Sequence, residues 1–142
     1  MGLFSNLIKK PLRTEDEVLL AEAMIAISMA DGDSQYEEAD LIRAFMGTLP
    51  EFKNKDSYEV YEKAEKNVKL HGALNRVKEL SKLSSPGLKN KAFFLAMDVA
   101  LSSGEIDDGE EQVLAVMQEA LAIPDDVAQK YAEVLQVKYA SA

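Results

Sequence analysis

Two stretches of this chain are apolar on nearly every side. The first holds Val18, Leu19, Leu20, Ala21, Met24, Ile25 and Ile27; the second holds Ala92, Phe93, Phe94, Leu95, Ala96, Met97, Val99, Ala100 and Leu101. A helix that is apolar round most of its circumference belongs inside a domain, with protein on all sides. The remaining helical patterns are one-sided. Leu41, Ile42, Phe45 and Leu49 form one stripe, and Val60, Tyr61, Ala64 and Val68 form another. Leu74, Val77, Leu80 and Leu83 continue the pattern, followed later by Val113, Val116, Met117 and Leu121, then Val127, Tyr131, Val134 and Leu135. Apolar residues at these three- and four-residue spacings predict amphipathic helices.

Helix boundaries are marked between the stripes. Thr14 and Glu17 form a capping box, and Ser34 with Glu37 and Asp107 with Glu110 repeat the arrangement. Gly32 and Gly104 can take the left-handed conformation that ends a helix. Pro50 follows one helix, Asp56 or Ser57 opens the next, and His71-Gly72 breaks it. Ser84-Ser85-Pro86-Gly87 is a turn, and Pro124 suits the start of a last helix because its missing N–H has no helical partner there. No strand pattern is present. The reading is all-α: a compact bundle of about seven helices.

The chain also repeats itself. Gly32 and Gly104 stand 72 residues apart, and so do Glu38 and Glu110. Met29 then falls on Leu101, Ile27 on Val99, Ile42 on Leu114, Phe45 on Met117 and Leu49 on Leu121. A helix–acidic turn–helix unit therefore occurs twice, which predicts two pseudo-symmetric halves. Residues 14–142 are expected to form one domain, preceded by an arm over 1–13. In that arm Leu3, Phe4, Leu7 and Ile8 make a short amphipathic turn, read as packing on the domain rather than as a membrane anchor.

Composition narrows the chemistry. The 142 residues carry a net charge of −9, with 47% hydrophobic residues, no cysteine, no tryptophan and one histidine. Nucleic-acid binding rests on Lys and Arg, so this acidic balance argues against it and favours cations or basic partners. Disulfides, thiolate metal sites and a cysteine nucleophile are excluded. No signal-peptide pattern and no stretch of membrane-spanning length is visible, so a cytoplasmic location is expected. Nucleophile arrangements and glycine-rich phosphate loops are also missing, and the chain is read as non-enzymatic with no organic cofactor.

The acidic residues crowd into two turns. The first holds Asp31, Asp33, Glu37, Glu38 and Asp40; the second holds Glu105, Asp107, Asp108, Glu110 and Glu111. A helix start gains about 0.3–1 kcal/mol from each favourably placed carboxylate, but a cap uses only one or two. Further like charges repel one another, and a bound cation or a basic surface would offset that repulsion. The donors are hard oxygens, which suit calcium, magnesium or manganese. An EF-hand loop does not fit: counted from Asp31, position six is Tyr36 rather than glycine and position twelve is Ile42 rather than glutamate. His71, beside a helix break, reads as structural or exposed. Lys63, Lys66, Lys69, Arg76, Lys78 and Lys82 make the middle of the chain its most basic part, facing solvent, a partner or the protein's own acidic turns. Asp98 lies inside an apolar run and needs a partner, read as a lysine or a helix end. Glu22 is a similar case, placed nearer the polar side.

An apolar helix, then Ala30-Asp31-Gly32, then Glu38 six residues after the glycine resembles the tellurite-resistance TerB family. Ser102-Ser103-Gly104-Glu105-Ile106 with Glu110 resembles the second half of the same pattern. The resemblance spans about Glu15 to Tyr139. It implies an all-helical, pseudo-symmetric fold and an acidic surface binding divalent cations, calcium in particular. It also implies a role in stress response and tellurite resistance through protein partners, at or near the inner face of the membrane. Carried over, the metal-site candidates are Asp31, Asp33, Glu38, Glu105 and Glu110, with Asp107 and Asp108 as neighbours. Ser103 stands where the family has an aspartate, and Ser34 where it has an apolar residue. Tellurite is itself an anion and the chain has no thiol, so conversion of tellurite is not expected. The alternative is a metal-independent interaction domain of the co-chaperone-accessory kind, docking partners on its acidic face.

Overall fold

The computed structural model describes residues 14–30, 36–53 and 56–140, and for Thr14 and residues 36–38 the backbone alone. The expected arm over 1–13 and the Gly32 turn with its Ser34–Glu37 cap lie outside the described residues. Those described form seven α-helices and no strand. They are α1 (Thr14–Ser28), α2 (Tyr36–Thr48), α3 (Ser57–His71), α4 (Ala73–Lys78), α5 (Pro86–Leu101), α6 (Asp108–Ala120) and α7 (Asp125–Tyr139), with 3-10 turns at Pro50–Phe52 and Glu79–Lys82.

The repeat is written into the helix boundaries. α5 opens 72 residues after α1, and α6 opens and closes 72 residues after α2. α7 has the same 15-residue length as α3. It follows at a smaller offset because residues 121–124 join α6 to α7, where the first half uses 49–56. α4 and the Glu79–Lys82 turn link the halves.

α1 and α5 are the two helices that are apolar all round, and they pack on each other. Every residue from Leu20 to Ile27 is at most 1% exposed. α3, α2, α4 and α6 cover the other sides of α1. Ala92, Phe93, Ala96, Val99 and Ala100 bury α5 in the same core. Each outer helix contributes its stripe: Ile42 and Met46 from α2, Tyr61, Ala64 and Val68 from α3, Val77 from α4, Val113 and Met117 from α6. Fully burying one such side chain contributes roughly 1.5–3 kcal/mol, so this layer supplies most of the driving force for folding.

α7 is held differently. Only Leu135 is fully buried, although Phe94 meets Tyr131 edge-to-face at 5.4 Å. Val134 and Val137 face outward, against the stripe that placed Val134 with the core.

The expected boundaries hold where the structure describes them. Asp56 caps α3 by accepting from the Tyr58 and Glu59 amides. Gly72 has φ +88° and separates α3 from α4, and Gly104 has φ +88° between α5 and α6. Ser85 caps α5 through the Leu88 amide. One boundary lacks its usual residue. α6 ends in paired bonds from the Ile123 amide to the Gln118 carbonyl and from the Ala122 amide to the Glu119 carbonyl. That closure puts Ala122 at φ +55°, in the left-handed region where glycine normally sits. An L-side chain there costs on the order of 1 kcal/mol. Ala122→Gly is therefore expected to raise stability to urea by about 0.5–1 kcal/mol.

Candidate functional site

The second acidic turn is built as a helix start. α5 ends at Leu101, and the Gly104 amide donates to the Leu101 carbonyl at 3.0 Å. The Ser103 hydroxyl lies within hydrogen-bond reach of the Ala100 carbonyl at 3.3 Å and the Glu105 carbonyl at 2.8 Å. Where the TerB pattern has an aspartate, this serine ties the turn together. α6 then opens with the capping box read from the sequence. Asp107 Oδ1 accepts from the Glu110 amide at 2.8 Å, and Glu110 Oε1 accepts from the Asp107 amide at 3.1 Å. Glu110 is buried, while Glu105, Asp107, Asp108 and Glu111 are exposed.

The second turn packs against the end of the segment that leaves α1. A methyl group placed on Gly109 would lie 3.4 Å from the carbonyl oxygen of Ala30 and 3.5 Å from Asp107 Oδ1. The first turn of α6 thus rests on the residue at which the chain enters its first acidic stretch. Asp31 and Asp33 lie outside the described residues, as does the side chain of Glu38. Among the described residues, no three carboxylate or imidazole side chains gather into a metal-holding group. Calcium takes six to eight oxygens. The described carboxylates therefore make no such site by themselves. His71 is exposed at the α3–α4 break, where its carbonyl accepts from Asn75 Nδ2 at 2.8 Å.

Two carboxylates lie inside the helical layer, Asp98 and Glu22. Asp98, on α5, accepts from Lys138 Nζ at 3.2 and 3.1 Å and from the Tyr139 hydroxyl. The expected lysine partner is therefore present. Burial alone would lower the Lys138 pKa, but its bonds to Asp98 and Tyr139 outweigh that and raise it. Lys138 also sits 4.7 Å from the centre of the Phe45 ring, so it ties α7 to both halves. Glu22 overturns its expectation. It is not near the polar side but 1% exposed, more deeply buried than Asp98 at 7%. Arg76 on α4 donates to it through Nε and, at 3.0 Å, through Nη2; Asn67 Nδ2 on α3 adds a bond at 3.4 Å. The hydrogen bond to Glu22 raises the Arg76 pKa above its already high value. A third buried carboxylate, Asp16, accepts from the Ser84 amide at 3.0 Å and from its hydroxyl, holding the end of the linker against the start of α1. A first-turn aspartate gives no sequence signal for such a contact 68 residues away.

The basic middle of the chain resolves into separate roles. Arg76 turns inward to Glu22, whereas Lys63, Lys66, Lys69, Lys78 and Lys82 are exposed. Lys69 pairs with Glu65 at 3.4 Å, and Lys82 with Glu79 at 2.6 Å. None of these pairs reaches the described acidic turn. No helix among the described residues is long and apolar enough to cross a membrane. Compared with protein-family models, curated proteins and solved structures, the chain matches none.

The two interior ion pairs differ in what their loss strands. Glu22→Ala leaves a guanidinium only 20% exposed without its carboxylate, and a cost of about 3–5 kcal/mol is expected. Asp98→Ala leaves Lys138, about half exposed, free to turn into water, and about 1–2 kcal/mol is expected. Urea denaturation of both variants checks the order.

Proposed function

We propose that this protein is a non-enzymatic, TerB-like module whose two acidic turns share one hard divalent cation, calcium in the first instance, and pass its presence to protein partners. The single observation that supports this reading is the packing of Gly109, in the first turn of α6, on the carbonyl of Ala30, the residue that precedes Asp31. The candidate ligands are Asp31, Asp33 and Glu38 from the first turn and Glu105, Asp108 and Glu110 from the second. Asp107 and Glu110 each give one oxygen to the capping box. Glu105 and Asp108 are exposed beside them. A cation here would relieve repulsion that capping does not require. The role in stress response and tellurite resistance, with partners at the inner face of the membrane, rests on the resemblance of Ala30-Asp31-Gly32 with Glu38, and of Ser103-Gly104-Glu105 with Glu110, to the TerB pattern.

A second reading has its own support. The capping box gives two of the carboxylates a structural task, and the rest of the described turn is open to solvent. An acidic corner of that kind can dock a basic partner with no metal. The two readings separate in one titration. The first expects saturable heat on adding calcium to metal-free protein, a rise in melting temperature, and about tenfold weaker binding in Glu105→Gln/Asp108→Asn. No heat and no thermal shift at millimolar calcium would favour salt-sensitive partner docking instead.

A further inference from the structure

Away from the acidic corner, the protein carries a pocket that its acidic turns do not explain. It measures about 240 Å³ and opens between α1, α3, α4 and the Glu79–Lys82 turn. Val18 and Leu19 form an apolar wall, and the Glu22–Arg76 pair with Asn67 lies in the lining. Glu22 lies six residues before α1 ends at Ser28, roughly 9 Å along the axis, and Ala30 lies beyond that end, so the pocket and the corner are distinct places.

The lining is balanced in charge. Glu15, Glu22 and Glu79 face Lys63, Arg76 and Lys82. Two of these pairs are satisfied internally, Glu22 with Arg76 and Glu79 with Lys82. What is left is one group of each sign. Among the described residues, neither Lys63 nor Glu15 has a hydrogen-bond or ion-pair partner. Arg76 also keeps donors in hand, because its guanidinium carries five N–H groups and Glu22 takes one on Nε and one on Nη2. The unused guanidinium edge has the forked geometry that binds a carboxylate.

A purely anionic ligand would meet Lys63 and Arg76 but also Glu15 and Glu79. A purely cationic one would meet Lys63 and the guanidinium. A small molecule bearing both charges satisfies each side. We propose that this pocket binds a free α-amino acid, its carboxylate on Arg76 and Lys63, its ammonium toward Glu15, and its side chain along Val18 and Leu19. The volume suits a ligand of that size and is below that of pockets for larger organic molecules.

The test is thermal unfolding and calorimetry of the full chain with each standard amino acid in turn. At least one is expected to raise the melting temperature, by about 5 °C when present at about ten times its Kd. Its N-acetylated and its C-amidated forms should each bind at least about tenfold more weakly. Lys63→Ala, at an exposed position outside the buried pair, should fold normally and lose about tenfold in affinity. No shift from any amino acid would overturn the proposal. So would phosphate or acetate binding as tightly as the best amino acid, or unchanged affinity in Lys63→Ala. These outcomes do not depend on calcium, so the corner and the pocket stand or fall separately.

Discussion

The enclosure of α1 on every side is the constraint from which the rest follows. Eight consecutive residues, Leu20 to Ile27, are at most 1% exposed, and one of them is a glutamate. A helix so placed cannot be stabilised by one partner; it needs neighbours all round. α5 supplies one side and is itself apolar round most of its surface. α2, α3, α4 and α6 supply the others. Any charge within this layer must be matched locally, because an unpaired carboxylate in a low-dielectric interior is costly. Arg76 meets that need for Glu22, and Lys138 with Tyr139 meets it for Asp98. The Gly72 break contributes here: at φ +88° it ends α3 and redirects the chain, and α4 then brings Arg76 back onto α1.

Enclosure also sets where the second acidic turn lies. α1 and α5 are matching helices of the two halves, and each leads into an acidic turn followed by a second helix. Because α6 packs against α1 as well as α5, its first turn comes to rest on the end of the first half's leading segment. The corner is therefore a product of the internal repeat together with the packing of its central pair. At the other end of α1, the same burial leaves a charged pocket over Glu22. The bundle thus presents two polar features along a single buried helix, each next to a place where the chain must change direction.

Much of the fold was legible in the sequence because the repeat is carried by local signals. The 72-residue offset between Gly32 and Gly104 reappears in the starts of α1 and α5 and in both ends of α2 and α6. Asp107 and Glu110 could be read as a cap because both partners lie within one turn. Asp98 could be read as paired because it interrupts an otherwise apolar run. Glu22 was misread for a physical reason. Its helix leaves a margin that looks polar when taken alone, and α3 and α4, brought in from 45 and 54 residues away, cover it. The Asp16–Ser84 contact and the meeting of Ala30 with Gly109 are invisible for the same reason: they depend on how helices pack, not on periodicity within one. Val134 shows the opposite failure, a helical stripe wider than the surface available to bury it.

The central functional claim is that the two acidic turns form one site and not two separate charged caps. Paramagnetic line broadening by manganese, which shares the oxygen preference of calcium, tests it most directly. At substoichiometric manganese, the amide signals of Ala30 and Gly109 should broaden together and before any others in the bundle, and calcium should reverse both. Broadening at Gly109 with Ala30 unaffected, or diffuse broadening spread over the acidic surface, would contradict a shared site.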